Sequence, residues 1–133
     1  MTSRAPLPVV AIGLVESDDG RVLICRRPAT DDGRSCWELP AVVMHPDESP
    51  EAAMRRAAKQ CVDLTVTIAT GQPPFRDQFE GRLSIYRFFV CHREDGDARA
   101  LDPYHEIRWI QPGQLIEYDY DPPIQSIVNW YME

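Results

Sequence analysis

The feature that most limits the fold is one helix whose start is marked residue by residue. Ser49 suits the N-cap, Pro50 suits the first helical position, and Glu51 complements the positive end of a helix. These signals predict a helix over residues 49–62. Because strand-forming residues dominate on both sides of it, any fold for this chain must place one helix between two β-rich halves.

The β-rich segments predict a sheet. Residues 9–15 are mostly apolar, as in a strand buried on both faces, and Asp18-Asp19-Gly20 predicts a hairpin turn before a second strand at 21–25. The polar residues 26–36 are predicted to form a loop, with an ordered segment resuming at Trp37. Further strands are predicted at 64–69, 83–91 and 107–110, with loops at 71–77 and 93–104.

The C-terminal residues predict a second helix, which opens at Pro122-Pro123. Four apolar residues repeat there at the helical spacing of i, i+3, i+4 and i+7, namely Ile124, Ile127, Val128 and Tyr131. Since no internal repeat and no Gly/Ser-rich linker divides the chain, we expect residues 1–133 to form a single α+β domain. Residues 1–8 are expected to be a flexible N-terminal segment.

The charge balance restricts the class of partner. Fourteen basic residues against 21 acidic ones leave a net charge of -7, which argues against a protein that binds polymeric nucleic acid through bulk positive charge. A small phosphorylated ligand stays possible, because a few arginines could hold its phosphates locally. The absence of a long apolar run and of a C-x-x-C pair favours a cytoplasmic protein that does not bind membranes. A homodimer remains an open possibility.

The residues around the helix start resemble the Nudix (MutT-like) family. Trp37-Glu38-Leu39-Pro40 is followed by Glu48-Ser49-Pro50-Glu51 and then by Arg55-Arg56. The similarity extends to residues 22–28, 106–110 and 121–123, so that it covers about residues 9–131. The resemblance implies a Nudix α/β/α sandwich, in which a mixed β-sheet lies between helices. It also implies descent from hydrolases of nucleoside diphosphate derivatives, which use Mg²⁺.

The signature of that family, G-x5-E-x7-R-E-U-x-E-E-x-G-U with U aliphatic, is only partly present. It matches at Glu48, Arg56 and Leu64, whereas its two glycines fall on Val42 and Asp63. The three acidic positions on the helix carry other residues, which are Ala57, Gln60 and Cys61.

The chemistry of those three degenerate positions predicts a loss of the metal site. Their i, i+3, i+4 spacing would let three carboxylates converge on divalent cations from one helix face. Ala57 offers no ligand, Gln60 offers a neutral carbonyl oxygen, and the Cys61 thiol is poorly matched to magnesium. Metal-assisted hydrolysis of a diphosphate needs an ion to neutralise charge and orient water. We therefore expect no resident metal and weak or absent hydrolysis.

The remaining candidate residues divide between catalysis and binding. The resemblance makes Glu106 and Glu48 the surviving catalytic candidates. It implies that Arg27 contacts nucleotide phosphates, that Gln125 reads a base edge, and that Glu38 lines the same pocket.

Each candidate also has a structural alternative. Glu48 and Arg56 look like the structural ion pair of the family, which fastens the loop before the helix to the helix itself. Glu106 could be a solvated carboxylate at a strand end, paired with Arg108 or His105. Arg27 and Gln125 could be ordinary surface residues.

Three functions follow from these alternatives. The first is a domain that binds a nucleotide or another phosphorylated small molecule without cleaving it efficiently. The second is an active Nudix hydrolase whose Mg²⁺ is held by Glu48, Glu106 and loop acids such as Asp77 or Glu80. The third is a protein-interaction module.

Overall fold

The computed structural model describes residues 6–133, which contain eight strands, two α-helices and one short 3-10 helix. The predicted flexible segment 1–8 therefore lies mainly outside the described residues. In the part of this segment that is described, the Pro8 carbonyl accepts a hydrogen bond of 2.9 Å from the Ile85 amide. The strands are β1 (Val9–Glu16), β2 (Val22–Arg26), β3 (Trp37–Glu38), β4 (Ala41–Val43), β5 (Thr65–Gly71), β6 (Phe75–Phe79), β7 (Arg82–Asp95) and β8 (Glu106–Ile110). The helices are α1 (Pro50–Val62), the 3-10 helix (Pro112–Glu117) and α2 (Pro122–Met132).

Helix α1 begins and ends where the sequence predicts. The Ser49 hydroxyl accepts a hydrogen bond of 3.1 Å from the backbone N–H of Ala52, which satisfies one free donor of the first turn. The helix ends at Val62, and its C-cap residue is Asp63, whose φ of 59° lies in the left-handed region. This is the position onto which the second glycine of the signature falls, and glycine adopts that backbone conformation most easily.

The sheet is mixed because its two longest strands, β1 and β7, run parallel to each other. They stay in register from Val9 opposite Ile85 to Glu16 opposite His92. The other strand pairs among the described residues are antiparallel, and the main path through the sheet has the order β3-β2-β1-β7-β5. A parallel pair needs a long crossover, and the chain between β1 and β7 includes helix α1.

The two helices cover opposite faces of this sheet. On one face, Ala11 and Val15 of β1 share a hydrophobic cluster with residues of α1 such as Met54. On the other face, the alternate residues of β1 pack in a second cluster with Ile127 and Val128 of α2. Strands β2 and β7 alternate in the same way, as strands buried on both faces must. The predicted α/β/α sandwich with a mixed sheet is thereby confirmed.

The predicted hairpin between the first two strands forms only at its closed end. Strands β1 and β2 pair at Glu16 and Val22, and then they separate. From Val10 to Ile12, β1 instead pairs with β4, while the whole of β2 pairs with β8. The local turn brings only the neighbouring ends together. Partners that are distant in sequence supply the rest of the ladder.

The prediction of a loop at 71–77 is wrong in part, because Phe75–Phe79 forms β6. This strand pairs along its full length with β7. The sequence does not reveal this strand, because its residues are largely polar and only every second side chain is partly buried. One of those side chains is Phe75, whose ring stacks on Tyr86 with centroids 5.0 Å apart. Strand β7 likewise runs on to Asp95, inside the predicted loop 93–104.

Close packing of α1 on β1 depends on Gly13. A Cβ atom added at Gly13 would lie 2.5 Å from both Sδ and Cε of Met54, which is itself fully buried. We expect Gly13→Val to lower the free energy of unfolding by about 1–3 kcal/mol, because overpacked side chains must shift. Urea denaturation measures the change.

The control for this prediction is a double-mutant cycle with Met54→Ala, which vacates the contested space. The cost of Gly13→Val should be smaller in that background. Equal costs in the two backgrounds would contradict the proposed close contact.

Candidate functional site

Arg27 follows β2 directly and lines three cavities, two of which share further lining residues. The larger of these two cavities has a volume of about 460 Å³ and the smaller one about 240 Å³. Arg27, Ala41, Phe79 and Glu80 line both of them. We call the two cavities together the Arg27 cleft. The predicted phosphate-binding residue therefore stands at the centre of the cleft.

The guanidinium of Arg27 is held by two carboxylates and one aromatic ring. Its Nε lies 3.0 Å from Oε2 of Glu38, and its Nη2 lies 3.2 Å from Oε1 of Glu80. The Tyr104 ring centroid is 5.3 Å from the Arg27 Cζ, within the range of a cation–π contact. These contacts fix the guanidinium in place at the junction of the cavities.

Glu38 is the buried partner of this arrangement. Its side chain is half-buried behind Arg27, and the Tyr104 hydroxyl donates a hydrogen bond of 3.3 Å to its Oε1. Burial raises the pKa of Glu38, because desolvation disfavours the charged carboxylate, and the Arg27 charge opposes that shift. Glu38 therefore lies in the cleft, but its carboxylate already has partners within the protein.

The larger cavity combines apolar walls with an acidic rim. Tyr86 and Ile124 are among its apolar lining residues, and they belong to strand β7 and helix α2. Apart from Arg27, its charged lining residues are all acidic, namely Glu38, Asp77, Glu80 and Asp121. This cavity is better suited to the organic part of a ligand than to a cluster of phosphates, because like charges repel.

The smaller cavity borders the face of α1 onto which the acidic positions of the signature fall. Gln60 and Cys61 line it, whereas Ala57 is fully buried in the core. The Cys61 thiol points to the Ala41 carbonyl oxygen at 3.6 Å, and burial raises the pKa of that thiol. A thiol that stays protonated is a poor ligand for a hard cation.

Glu48 and Arg56 form a two-point ion pair. Arg56 Nε lies 2.9 Å from Glu48 Oε2, and Arg56 Nη2 lies 2.9 Å from Oε1. The same guanidinium donates to the Val43 carbonyl at 2.8 Å and to the Gln60 amide oxygen at 3.3 Å. The backbone N–H of His45 donates to Glu48 as well. These bonds tie β4, the following loop and α1 together.

Glu106 also has both carboxylate oxygens engaged. Arg26 donates to its Oε1, and Arg108 Nη2 lies 3.0 Å from its Oε2. The hydrogen bond from Arg26 is the main cause of the lowered pKa of Glu106. Arg26 in turn lies over the Trp37 ring, 4.6 Å from its centroid. Neither Glu48 nor Glu106 is among the described residues that line the Arg27 cleft.

Gln125 lies outside the lining of the cleft. Its side-chain N–H donates a hydrogen bond of 2.9 Å to Asn129 on the same helix. The neighbouring Pro123 and Ile124 line the larger cavity instead. Of the predicted binding residues, the structure therefore brings Arg27 and Glu38 together and leaves Gln125 apart.

Two residues of the cleft were not singled out from the sequence. Tyr104 contacts both Arg27 and Glu38, although it lies far from both in the sequence. Asp121 lines the larger cavity from the N-cap of α2. An aspartate before Pro122-Pro123 signals a helix start, and that signal could have identified Asp121, whereas no local pattern marks Tyr104.

The donors near α1 do not fit a magnesium cluster. Side-chain oxygens of Gln60 and Glu48 already accept hydrogen bonds from Arg56, and burial raises the pKa of the Cys61 thiol. Within residues 6–133, no three His, Cys, Asp or Glu side chains are grouped so that they could hold a metal ion. Magnesium requires several free oxygen ligands in octahedral geometry.

The sheet is mixed and lies between two helices, and the cleft lies beside the Glu48–Arg56 pair, which joins the loop before α1 to α1 itself. This arrangement is that of a Nudix domain. The sequence model of the NUDIX domain matches residues 6–131, and the chain belongs to this family. It is 28% identical over 113 residues to a MutT-like protein of Streptomyces ambofaciens, covering 84% of this chain and 70% of that protein. It is 23% identical to the CTP pyrophosphohydrolase of Escherichia coli, covering 93% and 91% of the two chains.

Solved structures agree on the fold. The MutT protein from Methanosarcina mazei superposes with a TM-score of 0.78 at 16% identity, covering 98% of this chain and 96% of that one. An Ap4A hydrolase of C. elegans gives a TM-score of 0.75 at 13% identity, with 95% of this chain and 96% of that one covered.

Within residues 6–133, no helix has both the length and the apolar character needed to cross a bilayer.

The Glu48–Arg56 pair makes a testable contribution to stability at low pH. Hydrogen bonds from Arg56 lower the pKa of Glu48 from its ordinary 4.5 to about 2 in the folded protein. The stabilisation is therefore fully present above about pH 4.5 and is lost as the pH falls toward about 2. We expect Glu48→Gln to be less stable than the wild type at pH 7, and to lose less stability between pH 5 and pH 3.

Chemical denaturation at a series of pH values measures this difference. The control is Glu117→Gln, which removes the same charge from an exposed position. That variant should keep the pH dependence of the wild type. A Glu48→Gln protein with an unchanged acid slope would show that the ion pair does not hold the Glu48 charge.

Proposed function

We propose that this Nudix domain binds a nucleotide or another phosphorylated small molecule in the Arg27 cleft, and that it hydrolyses the ligand weakly or not at all. The observation that carries this proposal is the placement of Arg27. A guanidinium at the junction of two cavities is suited to bidentate contact with phosphate oxygens. The carboxylates Glu48 and Glu106, which could assist cleavage, are each engaged by arginine instead.

The charges of the two cavities support one orientation for the ligand. The acidic rim of the larger cavity disfavours phosphates there, so we place the organic part of the ligand between Tyr86 and Ile124. The phosphates then lie near Arg27 and extend toward the smaller cavity, where Gln60 is exposed. In this orientation the phosphates approach the helix face that lacks the acidic residues of the signature.

The setting of this function is also part of the proposal. The four cysteines, all within the described residues, are free thiols, which is consistent with a reducing cytoplasm. The net charge of -7 supports a small ligand over polymeric nucleic acid. A homodimer stays a prediction, to be tested by the mass of the protein in solution.

An active hydrolase is the second candidate, because two acidic residues outside the signature line the larger cavity. Asp77 and Glu80 both lie there, although Glu80 contacts Arg27 and Asp77 accepts a hydrogen bond from the backbone N–H of Gln78. The name of one relative, the CTP pyrophosphohydrolase of Escherichia coli, also supports this candidate. This candidate requires these loop acids, together with Glu48 and Glu106, to hold Mg²⁺ when a nucleotide is bound.

Nucleotide binding in the absence of metal tests the first proposal. We expect wild-type protein to bind CTP saturably in EDTA, as measured by isothermal titration calorimetry. Arg27→Gln should lower the affinity about tenfold or more, because a charge-assisted contact to phosphate is lost. Arg21→Gln removes the same charge from the exposed turn between β1 and β2 and should bind like the wild type.

Two other results would favour the alternative functions. Phosphate release that needs Mg²⁺ and is slowed by Glu106→Gln would support the active hydrolase. The absence of saturable binding by CTP and by other nucleoside di- and triphosphates would favour a protein-interaction module.

Restoring acidic residues on the helix tests the account of the lost metal site. We expect the double variant Gln60→Glu/Cys61→Glu to bind Mg²⁺ more tightly than the wild type, since both positions border the smaller cavity. Ala57 is left unchanged because it is fully buried and does not line the smaller cavity. Thermal unfolding with increasing Mg²⁺ should show a rise in Tm that is larger for the variant.

The matched control for this experiment is Lys59→Glu. It makes the same change of two charges on the same helix, at an exposed position that does not line the cleft. This control should respond to Mg²⁺ like the wild type. An equal response of all three proteins would count against the alignment of the signature with α1.

A further inference from the structure

The Arg27–Glu80 ion pair lies where the two cavities of the Arg27 cleft share lining residues. Both residues line both cavities, and Arg27 Nη2 lies 3.2 Å from Glu80 Oε1. A ligand with its organic part in the larger cavity and its phosphates toward the smaller one would therefore contact this pair. The carboxylate of Glu80 thus occupies a position on Arg27 where a ligand phosphate would bind.

Glu80 reaches this position from the tip of the β6–β7 hairpin. The strands pair up to Phe79 opposite Arg82, so that Glu80 and Gly81 are the two loop residues. Both have positive φ, 51° and 79°, as in a type I′ turn, in which Asn and Gly are the usual residues. A glutamate is uncommon in that backbone conformation, and residues held in such conformations cluster at functional sites.

The body of the hairpin is anchored by contacts with Tyr86, whereas the side chain at its tip is exposed. The Tyr86 hydroxyl donates a hydrogen bond of 2.7 Å to the Gln78 carbonyl, and the Phe75 ring stacks on Tyr86. By contrast, the Glu80 side chain is 60% exposed, while the Glu38 side chain on the other side of Arg27 is 20% exposed. Glu38 is therefore the fixed partner of Arg27, and Glu80 is the partner that can be displaced.

We infer that Glu80 acts as an internal competitor for the anion site on Arg27, so that a phosphorylated ligand binds only by displacing the Glu80 carboxylate. This inference rests on the proposed binding function of the cleft. It assigns Glu80 a role opposite to that of a metal ligand. As a competitor, Glu80 weakens phosphate binding in the absence of metal, whereas as a ligand it would strengthen binding in the presence of Mg²⁺.

The test compares CTP and inorganic pyrophosphate binding by wild type and by Glu80→Gln in EDTA, using calorimetry. We expect Glu80→Gln to bind both probes about two- to fivefold more tightly, the effect of losing one exposed ion pair. Glu80→Asn, whose residue suits the positive φ and is shorter, should show the same gain. Glu94→Gln removes a charge from an exposed position at the opposite end of β7 and should bind like the wild type.

A double-mutant cycle assigns the effect to Arg27. In an Arg27→Gln background, Glu80→Gln should give no gain, because the competed site is absent. Wild type that binds CTP, together with a Glu80→Gln variant of equal or weaker affinity in EDTA, would overturn the inference and leave the proposed function intact. Binding that needs Mg²⁺ and is weakened by Glu80→Gln would overturn it in favour of a metal ligand. Failure of every variant to bind either probe would overturn both proposals.

Discussion

The parallel pairing of β1 with β7 is the constraint on which the rest of the structure depends. These strands are covered on both faces, so alternate side chains must fill two separate hydrophobic clusters. One cluster requires α1 and the other requires α2. The approach of α1 is close enough that Gly13 leaves room for the end of Met54. The positions of both helices, and therefore of the cleft, follow from this arrangement.

The Glu48–Arg56 pair has a structural role that does not require acidic residues at positions 57, 60 and 61. Arg56 joins the Glu48 carboxylate, the Val43 carbonyl and the Gln60 amide. It therefore holds strand β4 against α1 whether or not a metal ion binds nearby. Positions 57, 60 and 61 carry Ala, Gln and Cys in this chain, and the ion pair is formed with these residues present.

The cleft differs from a simple basic phosphate site because its central arginine is surrounded by acids. Arg27 is shared by Glu38 and Glu80 and backed by Tyr104. A charged ligand must therefore replace contacts that the protein already makes, and the net gain in free energy is smaller than the contact itself would supply. Such a site favours ligands that also fill the apolar part of the larger cavity.

Much of the fold was predictable from local patterns, and most of the site was not. The capping signals of Ser49 and Pro50, the apolar run of β1 and the helical spacing in α2 are properties of neighbouring residues, so the sequence alone determines those elements. The identity of Ala57, Gln60 and Cys61 is likewise a matter of sequence. Strand β6 and the full partners of β1 and β2 were missed because pairing across the sheet depends on distant segments. The contacts of Arg27 with Glu80 and Tyr104 depend on tertiary structure, because the three residues lie in separate loops that only the folded sheet brings to one cleft.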